Sequence, residues 1–584
     1  MMKGIAASPG ISIGKAFIFE PDKLKLERKE ITEDGIAEEI IQFKEAIERT
    51  KKELIQVKKR VMDEVGEEYA KIFSAHLLVL EDPFLIIEVE RKIKEERINV
   101  EYALFSVLET LTSSFSSLDD EYIKERAVDI HDIGRRLLGN LLKQKRVNLE
   151  LEESRILVGH NLTPSHTAQL NKEKILAFVT DMGGRTSHTA ILARAMEIPA
   201  VVGLINITSL LKEEDTLIVD GNRGEVVIKP TPEVIEEYSK RKKEYELFIT
   251  GLANLKDLPA QTKDGFRIEL CANIEIPEEV DLVKEHGSEG IGLYRTEFLY
   301  LGRNTLPNED EQEGVYKEVA RKTFPYSVII RTLDLGGDKL SLHLKQPEEL
   351  ESNPFLGLRA IRLCLANVDI FKTQLRAILK ASVYGNIKII FPMISNLEEL
   401  IKTKEILREV QEELRRENIP FDEAIEIGVM IETPAACMIA DMLAEKVDFF
   451  SIGTNDLIQY TIAVDRGNER IAHLYEPLHP AILRLIKLVI EAAHRRGKWV
   501  GMCGEMAGDP LSCLVLLGLG LDEFSMSGVV IPEIKEIIRS VTLSEAKEIA
   551  TEVSKLDTAQ EVKSLIRKRF SKKLDKVLLR SENG

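Results

Sequence analysis

From residue 262 onward, eight short apolar segments alternate with stretches of helical periodicity, and this pattern constrains the fold more than any other feature. The predicted strands are RIELCANI (267–274), GIGLYR (290–295), SVIIRTLD (327–334), IKIIFPM (387–393), EIGVMIE (426–432), DFFSIGT (448–454), KWVGMCG (498–504) and DEFSMS (522–527). Eight βα repeats in about 300 residues predict a (β/α)8 barrel of the TIM type. A doubly wound sheet is the alternative, but no GxGxxG motif follows the first strand.

Polar and charged residues recur at one end of these segments, at the end of a predicted strand or immediately after it. They are Asn273, Arg295, Arg331, Glu432, Asn455, Asp456, Cys503 and Ser525. Barrels of this kind carry their active sites at the carboxyl ends of the strands. Packing alone does not require polar residues at one end, so we expect the functional site there.

Two acidic residues at neighbouring strand ends predict a Mg²⁺ site. They are Glu432 in VMIETPAA and Asp456 in IGTNDLIQYT. Hard carboxylate oxygens suit Mg²⁺, and substrate oxygens and water can complete its octahedral shell. Asn455, beside Asp456, has an amide that can donate to a phosphate.

Arginines at the same strand ends predict a phosphate-binding site. Arg295 lies in GLYRTEFL and Arg331 in VIIRTLDLGGDK, while Arg466 in AVDRGN and Arg359 in NPFLGLRAIR are further candidates. A guanidinium group suits phosphate because it stays charged and donates several fixed hydrogen bonds.

The five cysteines are an odd number without a CxxC pair, which favours a reducing compartment and excludes a zinc ribbon. Cys503 in WVGMCGEMAGDP has glycines nearby that allow close substrate approach at a strand end. A thiol with a pKa near 8.5 can exchange a proton close to neutral pH. The other cysteines are interpreted as buried apolar residues: Cys271, Cys364, Cys437 and Cys513.

A second candidate site lies in GGRTSHTAILARAMEIPAVVG, residues 183–203. Thr186 and Ser187 can cap a helix predicted over 188–197. The free backbone N–H groups at its start form an anion cradle. An imidazole at His188, with a reference pKa near 6.5, would favour its neutral, nucleophilic form beside a bound phosphate.

GGRTSHTA resembles the phosphohistidine signature shared by enzyme I of the phosphoenolpyruvate sugar phosphotransferase system, pyruvate phosphate dikinase and phosphoenolpyruvate synthase. The resemblance implies that His188 is phosphorylated, at Nε2. It also implies that Thr167, in NLTPSHTAQL, contacts the active histidine, whereas His166 occupies a variable position. The barrel motifs are similar to the phosphoenolpyruvate-binding domain of the same enzymes, which implies that Cys503 protonates the methylene carbon of enolpyruvate.

The N-terminal region distinguishes the three relatives, because the dikinase and the synthase begin with a large ATP-grasp domain. Here the early region is mainly helical, and no GxxxxGK[ST] motif occurs. A heptad seam begins it, interrupted only at Thr50, with apolar residues at Ile36, Ile40, Phe43, Ile47, Leu54, Val57 and Val61. GEEYAKIFSAHLLVLEDP and DDEYIKERAVDIHDIGRRLLGNLL resemble the carrier-docking helices of the enzyme I family.

The predicted architecture is multidomain α/β, in which a swivelling phosphohistidine domain with an inserted helical bundle is followed by a (β/α)8 barrel. The expected domains are 1–20 with 145–230 (phosphohistidine), 30–143 (helical), 231–260 (linker helix), 261–572 (barrel) and 573–584 (tail). The resemblance implies binding of phosphoenolpyruvate, release of pyruvate, Mg²⁺ dependence and homodimerisation through the barrel.

The resemblance also implies that the helical region docks HPr, the small histidine-containing carrier protein. An acidic face with apolar anchors and one arginine for the transferred phosphate is predicted from Glu67, Glu68, Glu81, Asp82, Leu77, Leu78 and Arg126. The formal net charge of −18 argues against a large nucleic-acid surface.

The N-terminus does not look like a secretory signal, and the longest apolar run, 511–521, is too short to cross a bilayer. A cytoplasmic protein is therefore expected. Two other functions stay open: an ATP-dependent enzyme like the dikinase, and a non-enzymatic scaffold built on the heptad helices.

Overall fold

The computed structural model describes the chain apart from several short segments. These are residues 20–25, 65–72, 74–75, 78, 117–120, 143–152, 163–173, 185–186, 197, 302–304, 337–352, 466–467, 469–470 and 579–584. The chain forms two compact units, Met1–Leu247 and Phe248–Leu578.

The first unit is built on an eight-stranded mixed sheet. Its strands are β1 (Met2–Lys3), β2 (Ile5–Ser8), β3 (Ile11–Phe19), β4 (Arg155–Gly159), β5 (Ile175–Thr180), β6 (Ala200–Val202), β7 (Thr216–Asp220) and β8 (Glu225–Ile228), in the order β1-β8-β7-β3-β4-β5-β6-β2. Strand β3 pairs parallel to β4 and antiparallel to β7. Successive residues of β4 point to opposite faces of the sheet and pack into different hydrophobic cores. Leu157 packs with the helices of this unit, and Ile156 packs in the core on the opposite face.

Four described helices lie between β3 and β4 in the chain, as expected for a bundle inserted into the sheet domain. They are α1 (Ile36–Glu64), α2 (Pro83–Glu96), α3 (Val100–Ser116) and α4 (Glu121–Leu141). The predicted seam on α1 faces their common core, with Phe43 and Leu54 fully buried. Thr50 is also fully buried, so it belongs to the seam. Its Oγ donates to the Ala46 carbonyl at 2.7 Å and accepts from Nδ2 of Asn140 on α4 at 2.8 Å.

Three further helices follow along the first unit, α5 (His188–Ala195), α6 (Ile207–Leu210) and α7 (Pro232–Ala253). The last of these lies within the segment predicted as a linker helix, 231–260, but ends at Ala253, and the boundary between the two compact units falls within it.

The second unit is a closed barrel of eight parallel strands, which confirms the predicted barrel and every predicted strand. The strands are β9 (Glu269–Ile274), β10 (Ile291–Tyr294), β11 (Val328–Arg331), β12 (Ile387–Phe391), β13 (Ile427–Ile431), β14 (Phe449–Ile452), β15 (Trp499–Met502) and β16 (Glu523–Met526). Strand β16 closes the barrel by pairing with β9. Inside the barrel, Leu293, Ile329, Ile390, Met430 and Phe449 form one apolar cluster.

The described helices of the second unit cover the outside of the barrel and contribute to its large core. They are α8 (Glu279–Glu285), α9 (Glu309–Thr323), α10 (Ile361–Ala366), α11 (Val368–Ala381), α12 (Leu397–Glu417), α13 (Pro434–Met438), α14 (Ala440–Ala444), α15 (Thr454–Ile462), α16 (Pro480–Arg495), α17 (Pro510–Leu519), α18 (Ile531–Ser540), α19 (Leu543–Val553) and α20 (Ala559–Leu578). Among the residues that the structure describes, no helix combines the length and apolarity needed to cross a bilayer.

Candidate active site

The loop before α5 has the geometry of a capped helix start. Ser187 is the N-cap, and its Oγ accepts from the Ala190 N–H at 3.4 Å and donates to the Gly184 carbonyl at 2.8 Å. Gly183 has φ of +115°, a conformation that favours glycine. The helix begins at His188, as predicted, so the free N–H groups of its first turn lie beside this residue.

Several residues predicted for this site lie outside the described part of the structure. Thr167, His166 and Thr186 fall in its gaps, and at His188 only the backbone is described.

At the carboxyl end of the barrel, Arg331 is the last residue of β11, and its side chain is only 11% exposed. One terminal nitrogen contacts Glu297 at 3.0 Å, and the other contacts Asp334 at 2.7 Å. Burial lowers the pKa of Arg331, but the two carboxylates, Asp334 foremost, outweigh it and raise the pKa above its ordinary value. The guanidinium group therefore stays charged.

Arg359 extends this ionic network. It contacts Asp334 at 2.9 Å and Asp456 at 3.6 Å, and it donates to the Tyr460 hydroxyl at 3.3 Å. Burial lowers the pKa of Arg359, but the charges of Asp334 and Asp456 outweigh it and raise the pKa above its usual value. The ionic network Glu297–Arg331–Asp334–Arg359–Asp456 thus holds two charged arginines oriented by carboxylates, Arg331 at the end of β11 and Arg359 in the loop before α10.

Glu432 follows β13 directly and is 1% exposed. Its Oε1 accepts from the Met393 N–H at 2.6 Å. Burial, together with the negative charges of Asp334 and Asp456, raises the pKa of Glu432 well above its ordinary value, with Arg331 opposing this. A Cβ at Gly453 would lie 2.8 Å from Oε2 of Glu432, so the glycine leaves the space beside that oxygen open. A Mg²⁺ ion would offset the repulsion between these carboxylates, and their oxygens are the hard ligands that Mg²⁺ prefers.

Cys503 follows β15 and is 3% exposed. Burial raises the pKa of its thiol to about 11, although Ser451 and the charge of Arg331 oppose the shift. The sequence predicts a thiol that gives or takes a proton near neutral pH. In the folded protein the thiol is held protonated there, which favours the donor role.

The remaining predicted barrel residues have distinct surroundings. Arg295 is partly exposed and pairs with Glu275 at 2.8 Å. Asn455, on the first turn of α15, exchanges two hydrogen bonds with Glu505, with its Nδ2 donating at 3.1 Å and its Oδ1 accepting at 2.9 Å. Arg466 lies outside the described residues.

The sequence did not lead us to the carboxylates that orient the arginines and the Asn455 amide, namely Glu297, Asp334 and Glu505. All three closely follow a strand, in the motifs RTE, RTLD and CGE, and this position could have identified them. Which arginine or amide each one contacts depends on barrel closure.

The predicted carrier-docking residues are only partly described. Asp82 is exposed and caps α2 by accepting from the Phe84 N–H at 2.8 Å, and Glu81 is paired with Lys51. Leu77 is partly buried against the helical core. Glu67, Glu68 and Leu78 lie in undescribed segments, and the side chain of Arg126 is likewise outside the described part.

Comparison with known protein families matches the chain in three successive segments. Residues 250–543 match the family described as PEP-utilising enzyme, PEP-binding domain, where PEP is phosphoenolpyruvate. Residues 3–126 match PEP-utilising enzyme, N-terminal, and residues 151–224 match PEP-utilising enzyme, mobile domain.

The chain is also similar to curated proteins over nearly its whole length. It is 50% identical to the phosphoenolpyruvate-protein phosphotransferase of Geobacillus stearothermophilus over 569 residues, 97% of this chain and 98% of that protein. It is 49% identical to the protein of the same name from Bacillus subtilis (strain 168) over 570 residues, 97% and 99% of the two chains. The three successive matches and these near-complete alignments show that the chain belongs to the phosphoenolpyruvate-protein phosphotransferase family.

Proposed function

We propose that this protein transfers the phosphoryl group of phosphoenolpyruvate to its own His188 and then to HPr, the first step of sugar uptake by the phosphotransferase system. The observation that supports it best is the ionic network at the carboxyl end of the barrel. Arg331, a buried carboxylate at Glu432 and a protonated thiol at Cys503 lie at or directly after strand ends of one barrel, and Arg359 joins them through Asp334.

The arginines are proposed to bind the phosphate of phosphoenolpyruvate. Arg331 and Arg359 already have carboxylate partners, so the dianionic phosphate competes with Glu297, Asp334 and Asp456 for them. Arg295, Arg466 and the amide of Asn455 complete the proposed set of donors. These groups neutralise the charge that spreads over the phosphoryl oxygens in a loose transition state.

Glu432 and Asp456 are proposed to hold Mg²⁺, which when bound supplies charge neutralisation for the phosphate and the departing enolate. Asp456 also contacts Arg359 at 3.6 Å, so one carboxylate would serve both the metal and the phosphate-binding arginine. Glu432 is positioned for its role by the Met393 N–H, which fixes one of its oxygens.

In the proposed chemistry, Nε2 of His188 attacks phosphorus in line. An N–P bond forms, and the bond between phosphorus and the enol oxygen breaks. The electron pair of that bond leaves with the enolate of pyruvate, and the Cys503 thiol gives its proton to C3. Phospho-His188 then passes the phosphoryl group to HPr, with Thr167 supporting the histidine.

The carrier is proposed to dock on the helical bundle. Glu67, Glu68, Asp82 and Arg126 would provide the charged contacts, and Leu77 and Leu78 the apolar ones. His188 and the barrel residues belong to different compact units, so the proposal requires the segment 231–260 to act as a linker that lets one histidine serve both partners. A cytoplasmic homodimer joined through the barrel completes the proposal.

The decisive experiment is incorporation of labelled phosphate from phosphoenolpyruvate, mapped to a residue. We expect wild-type protein to be labelled at His188 in the presence of Mg²⁺ and without ATP. His188→Ala should take up no label from either phosphoenolpyruvate or phosphorylated HPr, because it lacks the proposed nucleophile. Stable label on another histidine of that variant, His166 included, would refute the assignment. A requirement for ATP would instead favour a dikinase-like reaction.

A further inference from the structure

Three potential metal ligands lie close together at the amino end of the barrel, where its first and last strands pair. Glu269 and Cys271 lie on β9, and Glu523 lies on β16. These strands pair in parallel, with Glu523 opposite Glu269. The Cys271 Sγ and one carboxylate oxygen from each glutamate all lie within 4.8 Å of one another.

Glu523 has the strongest sign of a missing ligand. Its side chain is buried, at 2% exposure, and no nitrogen or oxygen donor among the described residues bonds to its Oε1; only the weak S–H donor of Cys271 donates to the carboxylate. A buried carboxylate oxygen that lacks a strong donor is costly, so its presence in a folded protein calls for a specific reason.

Glycines bring the backbone close to these donor atoms. A Cβ at Gly292 would lie 2.6 Å from Glu523 Oε1, and one at Gly501 would lie 3.0 Å from it. A Cβ at Gly290 would lie 3.3 Å from the Cys271 sulfur. The thiol and Glu523 are buried, whereas Glu269 is exposed and leaves a path from solvent.

The charges around the cluster also favour a cation. Two carboxylates and a buried thiol place their ligand atoms within 4.8 Å of one another, so a bound cation would offset the repulsion between their anionic forms. Lys388 is a nearby positive group. Its ammonium group already pairs with Glu426 at 2.7 Å and lies 4.5 Å from the Trp499 ring centre, so it compensates the cluster only in part.

We propose that Glu269, Cys271 and Glu523 form a binding site for a divalent first-row transition metal of the Zn²⁺ type. Binding releases the thiol proton and any proton on Glu523 to solvent, and the metal takes one sulfur and two oxygen ligands. The thiolate selects against Mg²⁺, which prefers oxygen ligands alone. Water entering beside Glu269 fills the fourth position. The ion ties β9 to β16, the two strands that close the barrel.

Co²⁺ is the probe that tests this site, because a cobalt–thiolate bond absorbs in the near ultraviolet. We expect Co²⁺, added to the full chain in excess Mg²⁺, to give such a band that saturates at one ion per chain and disappears when Zn²⁺ is added. Cys271→Ser should remove the band. The control Cys513→Ser removes another buried thiol, on α17, and should retain it. No band in the wild-type protein would overturn the proposal.

Two further variants separate the site from general misfolding and from the other end of the barrel. Glu269→Gln changes an exposed side chain, so the fold should survive and Co²⁺ affinity should fall by at least ~10-fold, since even outer-shell partners of a metal contribute that much. Unchanged affinity in this variant would remove Glu269 from the site. Cys503→Ala should keep the band. Loss of the band in Cys503→Ala, with retention in Cys271→Ser, would place the metal at the carboxyl end and refute the proposal.

Discussion

At the scale of single residues, burial assigns Cys503 its proposed role, because the buried thiol keeps its proton at neutral pH. Cys503→Ala should reduce pyruvate formation from phosphoenolpyruvate by about 10²–10⁴-fold, the range typical of a lost proton-transfer group. Phosphate exchange with phosphorylated HPr should be unchanged, since that step never touches C3 of enolpyruvate. Both rates are measured on one preparation, with Cys513→Ala as the control for loss of a buried thiol. Normal pyruvate formation in Cys503→Ala would exclude the thiol from the mechanism.

At the scale of elements, the contact between α1 and α4 depends on a polar group within an apolar seam. Thr50 accepts from Asn140 at 2.8 Å, and Asn140 also donates to Glu53 at 3.0 Å. Thr50→Val keeps the shape but removes this acceptor, and we expect it to destabilise the first unit by about 1–3 kcal/mol. Thermal unfolding followed by circular dichroism measures the loss.

A matched control for Thr50 exists on α3. Thr110 makes the same hydroxyl bond to the carbonyl four residues earlier, at 2.9 Å, but on an exposed face. Thr110→Val should change stability by less than about 0.5 kcal/mol. The single tryptophan, Trp499, lies in the barrel, so its fluorescence transition should be the same in both variants. Equal stability losses in the two variants would show that the buried hydrogen bond contributes nothing specific.

At the scale of the whole molecule, the two compact units divide the proposed chemistry. The boundary lies between Leu247 and Phe248, inside α7, so a fragment ending near residue 250 contains the first unit and its core. This fragment should exchange phosphate reversibly with phosphorylated HPr. It should take none from phosphoenolpyruvate, with or without Mg²⁺, because the proposed substrate ligands begin at Arg295.

The full chain is the control for the fragment and should accept phosphate from both donors. Label transfer from phosphoenolpyruvate to the fragment would show that the barrel is not the substrate site. A folded fragment, verified by circular dichroism, that fails to exchange with HPr would instead contradict the docking role given to 30–143.

Local patterns were enough to predict the strands of the barrel and the start of α5. Each barrel strand is a short apolar run bounded by turns, and its position depends on neighbouring residues, so all eight were predicted. The start of α5 at His188 was predicted for the same reason, since a serine N-cap acts within one helical turn. The polar residues at strand ends pointed to the site because parallel strands bring their carboxyl ends together.

Only the tertiary structure decided which side chains form ion pairs and which buried groups keep their protons. Arg331 forms an ion pair with Glu297, and Arg359 forms one with Asp456, between segments that the folding of the barrel brings together. Cys271 has the same local character as the other buried cysteines, and only the pairing of β9 with β16 places it beside Glu523. Ionic contacts and desolvation depend on distances between residues remote in sequence, and local composition does not determine those distances.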